Sequence, residues 1–278
     1  MIRIILSLFF ILSAFYPNVF AHGFPKEKPE EIELNRILEK AGQYCERLNH
    51  SAFNYVCLEE VSEKIDISRD TFLIHLLPRG FKKKQENRYL YDYQLIRKDY
   101  KTKERRILLE ENGKKKNGKD GQLKTTMFQY EKVLFGPIDL LSKYRQRYYD
   151  YKIVGKEILN GDESVVIKAA PKAHIKQRYF SGKIWLKKSK FTILRIELNP
   201  KSIGNFQILE GIAKRYKAEP KITLISEYKI EKNGIQFPSR YFIEEAYINN
   251  KGKKFIRSEI NVIYRDYKFF IVETEVKY

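Results

Sequence analysis

The seven residues YLYDYQL at positions 89–95 decide the fold class of this chain. Their odd positions are all tyrosine or leucine, whereas Asp92 and Gln94 occupy even positions. Because successive side chains of a β-strand point to opposite faces of the sheet, this alternation predicts a strand with one buried face. The same period of two recurs from about Tyr55 to the carboxyl terminus, between short polar turns. We therefore expect a mainly β protein of the α+β class.

Two Asn-Gly pairs, at 160–161 and 233–234, lie between strands of this kind. Asparagine and glycine tolerate the positive φ angles of a type I′ turn, so each pair predicts a β-hairpin. Polar turns are also expected at 187–190 and 249–252. The carboxyl-terminal half is therefore predicted to be an antiparallel meander. Its expected strands cover residues 151–159, 163–169, 183–186, 191–198, 223–230 and 235–247.

Two helices are expected beside the strands. Apolar residues recur at helical spacing between positions 34 and 48, which predicts one amphipathic helix. Pro137 suits a first helical turn, and a second helix is expected from about Pro137 to Tyr149. Residues 112–122 are rich in glycine and lysine and are expected to form a solvated loop.

The amino terminus has the pattern of an export signal. Arg3 precedes an apolar run over residues 4–15, and small residues follow at Val19 and Ala21. The run of about a dozen apolar residues is shorter than the roughly 20 needed to span a bilayer, although an uncleaved anchor is the alternative. We expect a cleaved signal peptide at 1–21 and a single domain at 22–278. The expected location is outside the cytoplasm, in the periplasm of a diderm bacterium.

Cys45 and Cys57 are the two cysteines of the chain. In an exported protein, the oxidising environment favours a disulfide between them. A disulfide that closes the short loop between these two cysteines would stabilise the fold by about 3 kcal/mol in the chain-entropy model. Two separate buried thiols are the alternative.

The sequence shows no pattern of reaction chemistry. Its four histidines are scattered without metal-ligand spacing, and it contains neither a G-x-S-x-G nucleophile motif nor a glycine-rich phosphate loop. Neighbouring glutamates such as Glu59 and Glu60 would point to opposite faces of a strand, which is wrong for a shared acid and base. We expect neither an enzyme, nor a metal site, nor a cofactor.

The charge balance points to an anionic partner. The chain has 54 Lys and Arg against 35 Asp and Glu, a formal net charge of +19, while 43% of its residues are hydrophobic. Anionic membrane surfaces attract such basic clusters, although a plain solvated surface explains them as well. Nucleic acid is not expected as a partner of an exported protein. The candidate residues for an anionic surface are Lys82, Lys83, Lys84, Lys114, Lys115 and Lys116, and further basic clusters lie at 101–106 and 251–254.

Residues 180–186, FSGKIWL, are followed by FTILRIE at 191–197. This pair resembles a hairpin of the periplasmic carriers that sort outer-membrane lipoproteins, the LolA/LolB-like family. Residues 228–240 are similar to the strand that follows it, so the resemblance covers about residues 151–278. It implies a strongly curved antiparallel half-barrel whose concave side is covered by two helices. It also implies an apolar cavity for acyl chains inside that half-barrel.

The alternating residues on the long expected strands are the candidates for the cavity wall, although a solid core would show the same pattern. From these features we expect a monomeric envelope protein that binds an acyl chain, lipid or lipoprotein segment, as a carrier or sensor. The alternative is a structural or sensory module that binds another envelope protein without a small ligand. The cavity candidates are Tyr89, Tyr91, Tyr93, Trp185, Phe237, Tyr241 and Ile243.

Overall fold

The computed structural model describes residues 29–70, 75, 80, 82–98, 101–116, 118, 120–121, 136–175, 179–202, 204 and 206–269. The expected signal peptide at 1–21 lies outside these residues, as do residues 22–28 at the start of the expected mature domain.

In the part of the chain that the structure describes, twelve antiparallel strands form one curved sheet, which confirms the expected fold class. Their order is β4-β3-β2-β1-β12-β11-β10-β9-β8-β7-β6, and β5 also pairs with β3. The amino-terminal strand β1 pairs with the carboxyl-terminal strand β12, so the two halves of the chain share one sheet. The bounds are β1 Tyr55–Asp66, β2 Lys84–Lys98, β3 Lys101–Glu111, β4 Lys114–Lys115, β5 Asp120–Gly121, β6 Tyr149–Leu159, β7 Asp162–Pro171, β8 Gly182–Lys187, β9 Ile193–Leu198, β10 Ala218–Lys232, β11 Ile235–Asn249 and β12 Lys254–Phe269.

The expected hairpin turns are confirmed. Asn160 has a φ of 52° and Gly161 a φ of 85°, as the type I′ turn between β6 and β7 requires. Asn233 and Gly234 adopt the same conformation between β10 and β11. A further Asn-Gly pair at 112–113 turns β3 into β4. The expected solvated loop at 112–122 therefore contains two short strands, although Lys114 to Lys116 in it are exposed.

Three α-helices have both ends within the described residues: α1 Pro29–Ala52, α2 Lys143–Gln146 and α3 Phe206–Tyr216. The first expected helix is confirmed by α1, which has Glu30 and Glu31 in its first turn, where the helix dipole favours negative charge. The third helix was not expected, although apolar residues from Phe206 to Tyr216 recur at helical spacing. Short 3₁₀ segments lie at Gly136–Leu140 and Pro200–Ser202.

The second expected helix, Pro137 to Tyr149, is wrong in extent. Its sequence folds as a 3₁₀ turn followed by the four-residue helix α2, and Tyr149 already belongs to β6. The break falls at Ser142, whose ψ of 134° is not helical. Leu140 and Leu141, just before this break, are both buried in the main core of the molecule.

A single large core fills the space between the concave face of the sheet and α1. We call it the concave core, and it includes side chains from α1, β1, β2, β6 to β12 and the 3₁₀ turn at Gly136–Leu140. Tyrosine dominates its largest fully buried side chains. Two smaller clusters lie elsewhere, one around Trp185 and one where Ile212 and Ala213 of α3 pack on Tyr247.

Candidate functional site

Five of the seven cavity candidates lie together in the concave core. Tyr91 and Tyr93 come from β2, and Phe237, Tyr241 and Ile243 from β11. All five are at most 5% exposed. The sixth, Tyr89, is half-buried and packs against this core at its margin. The period-two pattern of β2 therefore identifies the inward face of the sheet correctly.

Trp185 does not share this surface. Its neighbours Ile184 and Leu186 point into the concave core, so the alternation of the strand turns Trp185 to the opposite face. There it packs with Val166 and Leu194, and its indole Nε1 donates a hydrogen bond to Glu157 at 2.9 Å. The structure therefore places this candidate outside the concave wall.

Helix α1 covers the concave wall through apolar packing and few polar contacts. Its buried stripe includes Ile37, Tyr44 and Leu48, each 0% exposed. The Tyr44 hydroxyl donates a hydrogen bond to the Gln236 carbonyl oxygen on β11. At the other end of the stripe, the Gln146 amide donates to the Leu38 carbonyl oxygen at 2.8 Å. Side-chain packing rather than a backbone ladder therefore attaches this cover to the sheet.

A group of aromatic rings from three adjacent strands lies in the concave core. The Tyr55 ring lies edge-on to Phe237 and to Tyr267, with 4.9 Å between centroids in both pairs. Phe237 and Tyr267 are 5.2 Å apart, and Phe269, which is 38% exposed and lies outside this core, contacts Phe237 at 5.8 Å. Edge-on aromatic pairs add to the energy of area burial. The wall is thus apolar and geometrically well defined.

Two hydroxyl groups in this wall have no hydrogen-bond partner within the described part of the chain: those of Tyr55 and Tyr228. Both tyrosines are 0% exposed. Burial raises the pKa of Tyr228, and a side-chain interaction with Ser226 opposes this shift, although the two groups do not meet hydrogen-bond geometry. A buried unpaired hydroxyl costs about 1–3 kcal/mol, and native structures contain few of them. These two hydroxyls therefore need a hydrogen-bond partner that the described residues do not supply.

The two cysteines lie in the same core. Cys45 of α1 and Cys57 of β1 are both buried, and both are free thiols, so the structure does not contain the expected disulfide. Burial raises the pKa of each thiol, which disfavours the thiolate that disulfide formation requires. The alternative of two separate buried thiols is what the structure contains.

A buried charged network lies on the same inward face, toward β3. Arg106 donates from Nε to Glu59 Oε2 at 2.6 Å and from Nη2 to Glu59 Oε1 at 3.0 Å. Its Nη1 donates to Glu104 at 2.8 Å. The Tyr264 hydroxyl donates to Glu59, and the Tyr93 hydroxyl to Glu104. Burial raises the pKa of Glu59, and Arg106 opposes this shift.

This network was not expected from the sequence. Arg106 belongs to the basic cluster expected at 101–106, yet it is only 4% exposed. The available signal was the alternation on β1, where Glu59 and Glu63 share the inward positions with Val61. Across the part of the chain that the structure describes, no three His, Cys, Asp or Glu side chains come together as a metal site.

The described residues border two open grooves outside the concave core. One has a volume of about 590 Å³ and is bordered by charged residues of β1, β2, β3 and β12, with Tyr89 at its margin. The other, of about 510 Å³, lies along α1 beside Arg47 and His50. Their linings are mixed in polarity, so neither matches the apolar wall that the sequence predicts.

All six lysines proposed for an anionic surface are exposed. Lys84 forms an ion pair with Asp66 at 3.0 Å, and Lys116 with Glu111 at 3.2 Å. Lys82 and Lys83 precede β2, and Lys84 is its first residue. Lys114 to Lys116 follow β3. Because β2 and β3 are antiparallel neighbours, the two clusters lie toward the same end of the sheet.

No protein-family model and no curated protein matches this chain. Solved structures do resemble it. A putative outer membrane lipoprotein-sorting protein domain from Vibrio parahaemolyticus has a TM-score of 0.43 and 13% identity, covering 87% of this chain and 95% of its own. A LolA superfamily protein from Nitrosomonas europaea has a TM-score of 0.38 and 12% identity, covering 86% and 94%. A DUF1329 family protein from Desulfovibrio piger has a TM-score of 0.39 and 12% identity, covering 85% and 95%.

Proteins of the family that the sequence resembles are therefore among the structures similar to this chain. Since every one of these TM-scores is below 0.5, the similarity does not assign a ligand. Among the described helices, none is both long and apolar enough to cross a bilayer.

Proposed function

We propose that this protein is a non-catalytic binding protein of the periplasm that holds an acyl chain of a lipid or lipoprotein between the concave wall and α1. The observation that carries the proposal is the pair of buried, unpaired hydroxyls on Tyr55 and Tyr228. An ester or carboxyl group at the end of an acyl chain supplies the acceptors that these hydroxyls lack. The aromatic and aliphatic wall around them suits the chain itself.

The energetics of burial favour such a ligand. An acyl chain gains about 0.8 kcal/mol for each buried CH₂, so a dozen methylenes contribute on the order of 10 kcal/mol. In the structure, side chains such as Tyr44 and Leu48 of α1 fill the space that the chain would take. Because α1 is attached to the sheet mainly by side-chain packing, with a hydrogen bond from Tyr44 to β11 and an ion pair between Glu33 and Lys156 of β6, its displacement is the motion that would admit the ligand.

The test is a binding titration of delipidated protein with palmitate and with hexadecane, an alkane of equal length without a polar end. We expect both to bind, and palmitate more tightly. In the double variant Tyr55→Phe/Tyr228→Phe, palmitate affinity should fall by about 5- to 50-fold, because two hydrogen bonds are lost. Hexadecane affinity should not change.

Tyr247→Phe is the matched control, because its buried hydroxyl donates to Glu245 and lies in a different cluster. It should reduce stability without changing palmitate affinity. Absence of binding by both probes would contradict the proposal. If crosslinking in the native envelope then captured one stoichiometric protein partner, a ligand-free interaction module would be the better explanation.

A further inference from the structure

Tyrosine and arginine side chains form a compact cluster around α2. The Arg147 guanidinium lies 4.3 Å from the centroid of the Tyr144 ring and 4.8 Å from that of Tyr148. Tyr148 stacks on Tyr179 at 5.6 Å. Arg145 lies 5.3 Å from the Tyr179 ring, and its Nη1 donates to the Tyr179 hydroxyl at 3.3 Å. We call these five residues the Tyr-Arg cluster.

This cluster exposes apolar surface that the core does not use. Tyr144 is 64% exposed, and Phe180, next to Tyr179 in the chain, is 39% exposed. Lys143 and Arg147 are exposed beside them. Cation–π contacts hold the rings in place, so presenting them to a partner costs little conformational entropy.

The register of the sheet places this cluster at the same strand end as the exposed lysines. Tyr149 at the start of β6 pairs with Pro171 at the end of β7, and the next strands continue this end through Gly182, Leu198 and Ala218. The same end then carries the turn at 249–253, and beyond it Lys82 to Lys84 and Lys114 to Lys116. We call this end of the sheet the basic rim.

The opposite end of the sheet also carries basic residues, including the start of the 101–106 cluster on β3. There Lys187 pairs with Asp162 at 2.7 Å, Lys188 with Glu163 at 2.8 Å, and Lys190 with Glu231 at 2.9 Å. At the basic rim, Lys84 and Lys116 are paired in the same way, whereas Lys82, Lys83, Lys114 and Lys115 are exposed without an ion pair to another described residue. These four lysines are therefore available to attract an external polyanion.

We propose that the basic rim docks on an anionic lipid bilayer, with Tyr144 and Phe180 in the interfacial layer and the arginines and lysines on headgroup phosphates. The exposed rings favour a bilayer over a soluble polyanion, because aromatic rings are enriched at the membrane interface and gain nothing from phosphate groups alone. This docking does not depend on whether the concave wall binds an acyl chain.

The test is co-sedimentation of the full chain with vesicles of equimolar phosphatidylglycerol and phosphatidylcholine, with vesicles of phosphatidylcholine alone as the reference. We expect binding to the anionic vesicles that weakens with salt. The variant Arg145→Gln/Arg147→Gln should bind at least about tenfold more weakly, since each basic residue near the surface contributes substantially. Its matched control is Lys188→Gln/Lys190→Gln, with the same charge change at the opposite end, which should alter binding less than about twofold.

The rings are tested separately. Tyr144→Ser/Phe180→Ser should reduce vesicle binding several-fold, whereas Ile158→Ser, which removes an exposed apolar side chain from the opposite end of β6, should not. Equal losses in the rim variants and their controls would overturn the proposal, as would absence of binding. The proposal would also be overturned if vesicle binding did not depend on Tyr144 and Phe180 and if a soluble polyphosphate bound equally well. Thermal melts confirm that each variant is folded.

Discussion

Gly182 is the first residue of β8, in the hairpin whose sequence resembles that of the sorting carriers. The structure gives a physical reason for a glycine at this position. Gly182 pairs with Leu198 on β9, and a Cβ at this position would overlap the Glu197 carbonyl oxygen. Only a residue without a side chain allows β8 and β9 to approach so closely. The reason lies in backbone packing and not in a turn, since no positive φ is involved.

Gly182→Ala should therefore destabilise the protein by about 2 kcal/mol or more, because the backbone of β9 must shift. Gly211 lies inside α3, and a methyl group on its Cα would meet no other atom within 4 Å, so Gly211→Ala should stabilise by about 0.5–1 kcal/mol. Urea unfolding monitored by circular dichroism measures both changes. Similar effects of the two substitutions would show that close approach is not the cause.

The Glu59–Arg106 pair gives a second prediction for single residues. Arg106→Met leaves the fully buried Glu59 with an uncompensated charge and should cost about 3–5 kcal/mol of unfolding free energy. Adding Glu59→Leu should recover part of this loss. Arg88→Met, which breaks the exposed pair with Glu86, is the control and should leave the urea midpoint unchanged.

At the level of single residues, sequence alternation located most of the inward face but could not locate its polar partners. Tyr91 and Phe237 follow from the period of two. Trp185 was misplaced because strand β8 buries both faces, so large apolar residues do not distinguish one face from the other. The unpaired hydroxyls of Tyr55 and Tyr228 depend on long-range packing, which no local pattern contains.

Among the elements, strands and turns were predicted better than short helices. Asn-Gly turns and alternating strands are set by local sequence, and the structure contains them. The longer helix expected from Pro137 is interrupted by the non-helical backbone at Ser142, which leaves a 3₁₀ turn and the short helix α2. The pairing of β1 with β12 joins distant parts of the chain and could not be derived from periodicity.

Helix α1 should behave as a separately opening element. Two thiols should titrate with DTNB in urea without reductant. In native buffer both should react slowly, because Cys45 of α1 and Cys57 of β1 are buried between α1 and the sheet and have raised pKa values. Leu48→Ala on α1 should speed native labelling more than Leu224→Ala on β10, even where both lower global stability by a similar amount of about 2–5 kcal/mol.

Equal acceleration by the two leucine variants would show that labelling follows global unfolding instead. A loss of both titratable thiols in protein isolated from an oxidising compartment would show that the cysteines are linked there.

For the whole molecule, the concave core predicts a single cooperative unfolding transition, because it includes side chains from α1 through β12. Palmitate at about 100 times its dissociation constant should add about 2.7 kcal/mol of stability. For a domain of this size that corresponds to a rise in Tm of roughly 5–10 °C, measured by calorimetry. Two separate transitions would contradict the single domain, and an unchanged Tm would contradict ligand binding.

The open arc of the sheet has a consequence for ligand size. Within the described residues, β6 at one end of the strand order forms no ladder with β3 or β4 at the other. A closed barrel has a circumference fixed by its strand number and shear, whereas an arc changes radius through small changes of twist between neighbouring strands, with every hydrogen bond kept. On the proposed function, such a sheet would change its radius to fit ligands that carry one, two or three hydrocarbon tails.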